Sequence, residues 1–577
     1  MFKYSKLFYL FPDNCIFYIL VLLIIKNSDL LILYSMLYKK SQIYIVHHIK
    51  YIILYIFKLY NITMVNIEKI SIMNPWWSKG KNFWYADIDI STFNDKQTFI
   101  EFERLNAFYK KLKPNNIFLI KGPRRVGKTL LLKLLIKRLL DDGLPPLNIF
   151  YFSFDSMITK KELYNMLKDF LIRPTQNQKY ILLDEVQSVD GWEEIVKILY
   201  DSGMLTSSVV VVTGSISHLL KSEMLPGRGV EGNTVFLRPL SFRDFVIGLI
   251  SDVKSHYGVN RVNKILGYEF SDQEMENLYT YLEGNSINLE ENLKDIYKKM
   301  QEIMPYSIPI LKLFDIYLNT GGYPISINDY LYHSYYRNKE EDTFGISNFI
   351  YEEIYNYAKQ DAAIIGGNSK GDPNKASRII EGVINKVGMA ISYSSIAKKA
   401  SMNTSTVINY FDRLQNSFVF SLIYGINKSF IDMEKRKIYF SDILMHYACG
   451  AASSGTSGYT YTINMLNSSS VGTIVEELVL SNLIKTKEKD PMRTYEKFIK
   501  FYNDNGEIDF LYKTDKGGYI GIEVKYKNLV QSSKIKKIKG ISDYLILSKD
   551  ILEPIDNGFI IPVSLFLLLL KKSEYDL

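Results

Sequence analysis

The sequence predicts an α/β protein whose first large domain is a doubly wound parallel sheet. From Ile117 onward, short apolar strands alternate with helices across short polar breaks, a pattern typical of parallel strands joined by crossover helices. Residues 116–130, NIFLIKGPRRVGKTL, run from an apolar strand through a glycine-rich turn into a helix. This order brings backbone N–H groups and the positive end of a helix to one place, where an anion binds well.

The turn fits the phosphate-binding pattern GxxxxGK[ST]. In that pattern the glycines let the backbone approach the phosphates, the lysine reaches the β- and γ-phosphates, and the threonine hydroxyl meets Mg²⁺. The predicted nucleotide site comprises Gly122, Pro123, Arg124, Arg125, Val126, Gly127, Lys128, Thr129 and Leu130. An ordinary Gly/Pro turn is the alternative, and the flanking strand and helix disfavour it. We therefore expect ATP and Mg²⁺ as ligands, with Lys128 acting on the transferred phosphate.

Length, charge and cysteine content bound the remaining possibilities. A chain of 577 residues is too long to fold around a single hydrophobic core, and typical domain sizes indicate about three or four domains. Its two cysteines, Cys15 and Cys449, lack partners at disulfide or metal spacing, which favours a reducing, cytoplasmic setting. The net charge is +8, and the seven Lys and two Asp of residues 1–63 supply +5 of it. Contact with nucleic acid must then depend on local basic patches.

Residues 1–73 form a hydrophobic extension unlike the rest of the chain. Its apolar runs are interrupted by charged residues or His, and none reaches the roughly 18 clean residues of a spanning helix. A weak membrane anchor is one interpretation. We favour the other, in which translation starts at Met64 or Met73 and NPWW at 74–77 opens the folded protein. Membrane association is expected only if the extension is real, and a secretory signal is not expected because no small-residue cleavage site is present.

The chemistry of a parallel sheet is expected at the carboxyl ends of its strands. The predicted strands are Ile117–Lys121, Asn148–Phe154, Tyr180–Asp184 and Val209–Thr213, with helices near 129–140, 160–171, 192–202 and 217–224. Asp184 and Glu185 end the third strand, where the aspartate can hold Mg²⁺ and the glutamate can orient or deprotonate the attacking water. Thr213 and Ser215 could contact the γ-phosphate, although Ser215 could equally be a helix N-cap.

Arg228 follows on the loop LPGRG at 225–229. An arginine brought to the γ-phosphate neutralises developing charge, whereas most loop arginines are only solvated. The residues alone favour the second interpretation.

The middle of the chain predicts a helical segment and then a winged helix-turn-helix. Residues 250–375 are mainly helical, with GGYP at 321–324 and a linker at 364–375. Residues 376–424 predict two short helices, a third opening with the polar run from Asn403, and a strand-like wing. This module could read DNA or only pack against protein. We predict that residues 425–470 form a linker and that Gly450–Gly472 is a loop.

The last module, residues 471–577, predicts a helix followed by a hairpin. Asp509 lies on one strand and Glu523 and Lys525 on the next, where alternation turns the outer residues of Glu-Val-Lys to one face. Two carboxylates suit a hard divalent ion, and a lysine can position water against a phosphodiester. Glu476 on the helix could complete a metal site, and a solvated hairpin is the alternative. Six lysines without an acid between Lys525 and Lys539 favour a polyanion.

Taken in order, these motifs resemble a family of archaeal and bacterial AAA-type ATPases. The resemblance covers about residues 74–560 and rests on GPRRVGKT, YILLDE, VVVVTGS, LPGRG, RPLSF, GGYP, the winged helix, and GEIDF with IEVK. It implies an AAA/ASCE-type P-loop core, then helices, a winged helix and a restriction-endonuclease-like domain. The order of elements and linkers along the chain sets the predicted boundaries at 74–249, 250–375, 376–424, 425–470 and 471–577.

The resemblance also implies roles for individual residues. It assigns Lys128, Glu185 and Arg228 to ATP hydrolysis, and Thr129 and Asp184 to Mg²⁺. In the last domain it assigns Glu476, Asp509 and Glu523 to a metal and Lys525 to catalysis. An ATPase acting on DNA is the expectation, with homo-oligomers possible. The alternative is a slow nucleotide-controlled switch without nuclease activity.

Overall fold

The computed structural model divides the chain into two compact units, Met1–Met73 and Asn74–Leu577. The structure describes residues 70–85, 87, 101–154, 159–175, 177–189, 191–215, 232–252, 263–264, 266, 270–336, 345–363, 371–427, 432–487, 493–504, 506–527, 538, 541 and 543–577. Most of the N-terminal extension, the predicted helix at 217–224 and Arg228 lie outside these ranges. Within them, no helix combines the length and hydropathy needed to cross a bilayer.

The first sheet is parallel and has the order β2-β3-β4-β1-β5 among the described residues. Its strands are β1 Ile117–Lys121, β2 Ile149–Ser153, β3 Lys179–Asp184, β4 Ser208–Gly214 and β5 Thr234–Phe236. Its helices are α1 Trp76–Lys79, α2 Glu101–Tyr109, α3 Lys128–Asp141, α4 Lys160–Leu171 and α5 Trp192–Asp201. The predicted α/β fold is confirmed. Every residue of β1 and β4 is buried, as an apolar run covered on both faces should be.

The segment NPWW closes the open edge of this sheet. β2 is the edge strand, and the Asn74 side chain both donates to the Tyr151 carbonyl (2.8 Å) and accepts from the Tyr151 N–H (2.7 Å). The indoles of Trp76 and Trp77 donate to the Ile149 carbonyl at 3.1 and 2.7 Å. Side chains therefore supply the bonds that another strand would give, which protects the edge from pairing with other chains.

A helical segment follows the sheet. Its helices are α6 Phe242–Asp252, α7 Asp272–Gly284, α8 Leu293–Ile303, α9 Ser307–Thr320, α10 Pro324–Tyr336, α11 Asn348–Ala363 and α12 Pro373–Val383. Side-chain caps mark several starts, such as Ser271 with Glu274 at α7 and Asp372 at α12. The end of the linker predicted at 364–375 is thus the first turn of α12, and residues 364–370 lie outside the residues that the structure describes.

Three more helices and three strands follow α12. They are α13 Tyr393–Ala400, α14 Thr404–Asn416, α15 Ile443–Ser454, β7 Phe420–Ile426 and β8 Asp432–Phe440, with the short strand β6 Ala390–Ile391 between α12 and α13. One face of α14, formed by Val407, Tyr410, Phe411 and Leu414, is buried.

The C-terminal part joins these strands in one mixed sheet. It contributes α16 Gly458–Leu466, α17 Val471–Lys487, β9 Ile499–Asn503, β10 Glu507–Lys513, β11 Tyr519–Lys525, β12 Asp543–Ser548, β13 Glu553–Ile555, β14 Gly558–Pro562 and α18 Val563–Leu569. In the described residues the sheet order is β13-β14-β12-β11-β10-β9-β7-β8-β6. β7 pairs in parallel with β9, so residues 376–424 and 471–577 share a sheet across the predicted boundaries.

The prediction of a linker at 425–470 and a loop at 450–472 is wrong. The segment contains β8 and the helices α15 and α16. Its small residues are packing positions, because a Cβ at Gly450 would lie 2.1 Å from the Tyr461 ring and one at Gly458 would lie 2.1 Å from Tyr351. The Gly, Ser and Thr content of this segment suggested a flexible loop, whereas in the structure its glycines let tyrosine rings pack closely against helices.

One continuous hydrophobic core runs from Leu240 to Leu570. It joins the helical segment, the strands β7 and β8 and the C-terminal part, so the predicted boundaries within this region do not separate independent cores. The chain then returns to the first sheet, where Phe236 of β5 donates to the Tyr575 carbonyl (2.6 Å) and accepts from the Leu577 N–H (2.9 Å).

Candidate functional site

The loop between β1 and α3 has a backbone that needs its glycines. A Cβ at Gly122 would lie 2.0 Å from the Leu237 carbonyl oxygen, so only glycine fits between the two backbones. Gly127 has φ 100° and stands immediately before α3, in the left-handed region that glycine adopts without strain. Val126 between them is fully buried and anchors the loop.

Lys128 is held under this loop. Its ammonium donates to the carbonyls of Gly122 (3.1 Å) and Pro123 (2.9 Å) and lies 3.4 Å from Glu185 Oε1. The side chain is buried. The Lys128 ammonium is held by two neutral carbonyls and one carboxylate. It can exchange these partners for a phosphate that enters the loop, because a hydrogen bond between two charged groups is stronger.

Asp184 collects hydroxyl groups at the end of β3. It accepts from Thr129 Oγ1 (2.7 Å), from the Tyr151 hydroxyl (3.0 Å) and from Thr213 Oγ1. Burial and the neighbouring Glu185 carboxylate raise the pKa of Asp184. The Thr129 hydroxyl and the Asp184 carboxylate are oxygen donors of the kind that Mg²⁺ prefers.

Glu185 has a strained backbone that aims its side chain at the lysine. Its φ is 53°, which is uncommon for a residue other than glycine. Gln187 donates to the Glu185 carboxylate and also to Ser215 Oγ (3.1 Å), linking the ends of β3 and β4. Burial would raise the pKa of Glu185, but Lys128 and the bond from Gln187 together lower it. The carboxylate is therefore ionised and can accept a proton or orient a water molecule.

A cleft of about 450 Å³ opens above these groups. That size falls within the usual range for small-molecule sites. One wall is the loop and α3, with Arg124, Arg125, Lys128, Thr129 and Leu130. The opposite wall comes from the first turns of α10 and from the middle of α11. Its residues are Pro324, Ile325, Asn328 and Tyr357.

The two arginines of the loop contact α11. Arg124 Nε lies 2.9 Å from Asp361 Oδ1, and Arg125 pairs with Glu353. Both guanidinium groups lie over the Tyr357 ring, at 5.1 and 5.8 Å from its centre. Burial raises the pKa of Asp361 to about 6, although Arg124 acts against this shift. The phosphate loop and α11 are thus physically connected.

Sequence reasoning did not identify Tyr151, Gln187 or the contacts from α10 and α11. Tyr151 lies within β2 rather than at its end, and Gln187 is two residues beyond the acidic pair, so both fall outside a search of strand ends. The GGYP motif at 321–324 was the available signal for α10, since its proline lines the cleft.

The amino end of α14 is exposed. Asn403 caps the helix by accepting from the Thr406 N–H (2.8 Å), and Thr404 and Ser405 face solvent. Lys398 and Lys399, at the end of the preceding helix α13, are exposed as well. These polar and basic groups lie on consecutive helices joined by a short turn.

Two of the three carboxylates predicted to form a metal site, those of Glu476 and Asp509, lie beside the ammonium of a lysine that the sequence did not point to. Lys437 on β8 places its ammonium 3.4 Å from Glu476 Oε1, 2.8 Å from Glu507 Oε1 and 3.6 Å from Asp509 Oδ1. Lys525 pairs with Glu523 at 2.7 Å. Asp509 also accepts from the Val524 N–H at 2.9 Å.

The described residues contain no group of three or more His, Cys, Asp or Glu with the geometry to hold a metal ion. The predicted site of Glu476, Asp509 and Glu523 is therefore not assembled as a three-carboxylate metal centre. The physical reason is Lys437, more than 70 residues from Asp509 in sequence, which hydrogen-bonded pairing within one sheet brings among the carboxylates.

Three segments of the chain match family models. Residues 114–246 match an AAA domain, residues 311–454 a domain of unknown function (DUF8612), and residues 471–566 another domain of unknown function (DUF4143). The first match identifies the P-loop sheet as similar to AAA-type ATPase domains.

Relatives of the chain are uncharacterized proteins. MJ1544 of Methanocaldococcus jannaschii is 35% identical over 163 residues, which are 27% of this chain and 34% of that protein. A Haemophilus influenzae protein is 34% identical over 137 residues, 22% of this chain and 33% of its own. MJ1637 of M. jannaschii is 24% identical over 345 residues, 58% of this chain and 63% of its own. The matches thus span from a third to under two thirds of these relatives.

Solved structures with partial similarity include RuvB from Thermotoga maritima and Cdc6p from Pyrobaculum aerophilum. RuvB has a TM-score of 0.22 and 14% identity, covering 56% of this chain and 88% of its own. Cdc6p has a TM-score of 0.24 and 13% identity, covering 66% of this chain and 94% of its own. These TM-scores are too low for either structure to indicate the function of this chain.

Proposed function

We propose that this protein binds and hydrolyses ATP at the loop between β1 and α3, and that nucleotide occupancy controls its contact with DNA. The observation that carries the first part is the cluster at the strand ends. Lys128, Thr129, Asp184 and Glu185 meet beneath a cleft of nucleotide size, and the segment containing them matches an AAA domain.

Each of these residues has a task that its contacts support. The Lys128 ammonium leaves the carbonyls of Gly122 and Pro123 and hydrogen-bonds to the phosphates instead. Thr129 and Asp184 would hold Mg²⁺, which when bound neutralises charge on the phosphate oxygens. Glu185, ionised and oriented by Gln187, would accept the proton of the attacking water. Ser215, hydrogen-bonded to Gln187, would report the state of the γ-phosphate to Glu185. We propose from the LPGRG motif alone that Arg228 neutralises charge developing on the γ-phosphate.

Three features support DNA as the partner. The exposed amino end of α14 and the lysines Lys398 and Lys399 fit a helix placed in a major groove with phosphates beside it. The strands β7 and β8 follow α14 as the wing of a winged helix would. The contacts of Arg124 and Arg125 with α11 provide a path from the phosphate loop, because α11 packs against α12 and α14.

The same path favours a second candidate function, a nucleotide-controlled switch with slow turnover. Arg124 and Arg125 already pair with Asp361 and Glu353, so an incoming phosphate would compete for them. A switch needs binding to change these contacts but does not need rapid hydrolysis.

Nucleotide binding tests the assignment of the site. Titration of a fluorescent ATP analogue should show binding by wild type and a loss of at least tenfold in affinity for Lys128→Ala, because the compact ammonium has no replacement in the loop. Lys137→Ala, on the same helix but paired with Asp141 outside the cleft, is the matched control and should bind normally. Equal affinity in all three proteins would remove the assignment.

DNA binding tests the second part. Fluorescence anisotropy with a labelled duplex should give a weaker complex and a shallower salt dependence for Lys398→Ala/Lys399→Ala, since each lost phosphate contact lowers the slope by roughly 0.9. An unchanged slope, or no binding by wild type with or without ATP, would leave the α13–α14 region as a protein-packing module.

A further inference from the structure

The C-terminal carboxylates surround Lys437, and this arrangement carries an inference that goes beyond the proposed function. The ammonium contacts oxygens of Glu476, Glu507 and Asp509 at 2.8 to 3.6 Å. These separations suit an ammonium, whereas a magnesium ion would need oxygens about 2.1 Å away in near-octahedral array. A metal ion ligated by Glu476 Oε1 or Asp509 Oδ1 would lie within a few ångströms of the buried Lys437 ammonium, whose positive charge would repel it.

Lys437 is fixed in this place from both sides. Within the described sheet its backbone pairs with Ala390 of β6 and with Ile423 of β7. Its side chain is 1% exposed, and its ammonium lies 5.5 Å from the centre of the Phe501 ring. Moving the ammonium aside would bring a buried charge out of a packed site and leave its carboxylates unpaired, which is costly.

The carboxylates have further partners that suit this lysine-centred state. The Tyr439 hydroxyl donates to Glu476 Oε1 at 2.5 Å, and the Val524 N–H donates to Asp509 Oδ2. Both carboxylates are therefore hydrogen-bonded as well as close to the Lys437 ammonium.

We propose that Lys437 is an internal cation that occupies the position of a divalent ion, so that the C-terminal module does not cleave nucleic acid by a metal-dependent reaction. The carboxylates then stabilise the junction between β8, α17 and β10. Lys525, paired with Glu523 and half exposed, remains available to contact a polyanion.

Manganese titration of the full-length protein without nucleotide tests this proposal. Mn²⁺ prefers carboxylate ligands and is detected directly by electron paramagnetic resonance. We expect wild type and Asp509→Asn to give the same Mn²⁺ binding, and neither to degrade plasmid or single-stranded DNA with Mn²⁺. Lys437→Ala should gain one bound Mn²⁺, and Lys437→Ala/Asp509→Asn should lose it again.

Several outcomes would overturn the proposal. Wild-type Mn²⁺ binding or DNA cleavage that disappears in Asp509→Asn would show that a metal displaces the ammonium. A folded Lys437→Ala protein that gains no Mn²⁺ would show that the lysine does not occupy an ion's position. If Lys437→Ala does not fold, the comparison of wild type with Asp509→Asn still decides, and Lys437→Arg, which retains the charge, should fold and bind no additional Mn²⁺.

Discussion

At the scale of single residues, the candidate ATP site depends on charges held by specific partners rather than exposed to solvent. Lys128 and Glu185 lie 3.4 Å apart, and Asp184 is occupied by hydroxyls of Thr129 and Tyr151. Such a site is organised before nucleotide arrives, which lowers the reorganisation needed for reaction. The left-handed backbone at Glu185 is the strain that this organisation requires.

Lys485 allows a residue-scale test of buried charge elsewhere in the fold. It is buried on α17, and burial lowers its pKa from 10.5 to about 8, although Asp576 and Asp244 act in the opposite direction. Between these two pH values the unfolded chain binds a proton that the folded chain has released. The free energy of unfolding should therefore rise with pH across this window, by at most about 1.4 kcal/mol per unit from this group.

The prediction is a difference between two pH profiles. Denaturant unfolding of wild type should gain stability relative to Lys485→Met as the pH rises from 8 towards 10.5, since methionine has no proton to release. Parallel profiles for the two proteins would mean that Lys485 titrates normally in the fold.

The sequence predicted the elements around the site more completely than their side-chain contacts. The strand Ile117–Lys121 was predicted with the bounds that the structure has, because its period and flanking loop are local signals. Gln187 and Lys437 were missed, since their roles depend on contacts between elements far apart in the chain. Lys437 in particular looks like an ordinary strand lysine until β8 and β10 are placed in one sheet.

At the scale of secondary-structure elements, the GGYP turn positions α10 at the cleft by close backbone contact. A Cβ at Gly322 would lie 2.3 Å from the Leu240 carbonyl oxygen and 2.9 Å from the Leu240 nitrogen. The Gly322 N–H also donates to the buried Asp442 at 2.9 Å. The motif therefore links the segment between β5 and α6, the start of α10 and the N-cap of α15.

Gly322→Ala should destabilise the protein by about 1 to 3 kcal/mol, the usual cost of overpacking, because backbone atoms cannot move aside as a flexible side chain would. Thermal or denaturant unfolding measures this change. Gly284→Ala is the matched control, since a Cβ at that position meets nothing within 4 Å. Equal stability of the two variants would show that the contact at Leu240 relaxes freely.

The linker prediction for residues 425–470 was wrong because the small residues of this stretch are sites of close packing between elements. Ser, Gly and Thr in that stretch suggested a loop by composition, yet Gly450 and Gly458 allow tyrosine rings to pack against helices. Small residues predict flexibility only when nothing is close to them, and the sequence does not reveal what is close.

At the scale of the whole second unit, the C-terminal end of the chain connects the two sheets. Residues Tyr575–Leu577 pair with β5, which lies beside the phosphate-loop strand β1. Arg238 Nη1 and Asp576 Oδ2 lie 2.6 Å apart with both side chains buried. The last residues therefore attach the C-terminal part to the edge of the ATPase-like sheet.

Asp576→Ala should cost about 3 to 5 kcal/mol of unfolding free energy, because it leaves the Arg238 guanidinium buried without its carboxylate. Asp556→Ala removes an exposed carboxylate from the turn between β13 and β14 and serves as the control. A change of less than about 1 kcal/mol for Asp576→Ala would show that this attachment contributes little to the fold.

Steady-state ATP turnover by purified wild type and Glu185→Gln, with and without duplex DNA, tests whether the strand-end cluster hydrolyses ATP. We expect wild type to release phosphate and Glu185→Gln to bind ATP with similar affinity while turning over at least a hundredfold more slowly, since only the group that activates water is changed. Stimulation of the wild-type rate by DNA would favour the DNA-acting ATPase over the slow switch. Wild-type turnover that Glu185→Gln leaves unchanged would contradict the assignment of this site.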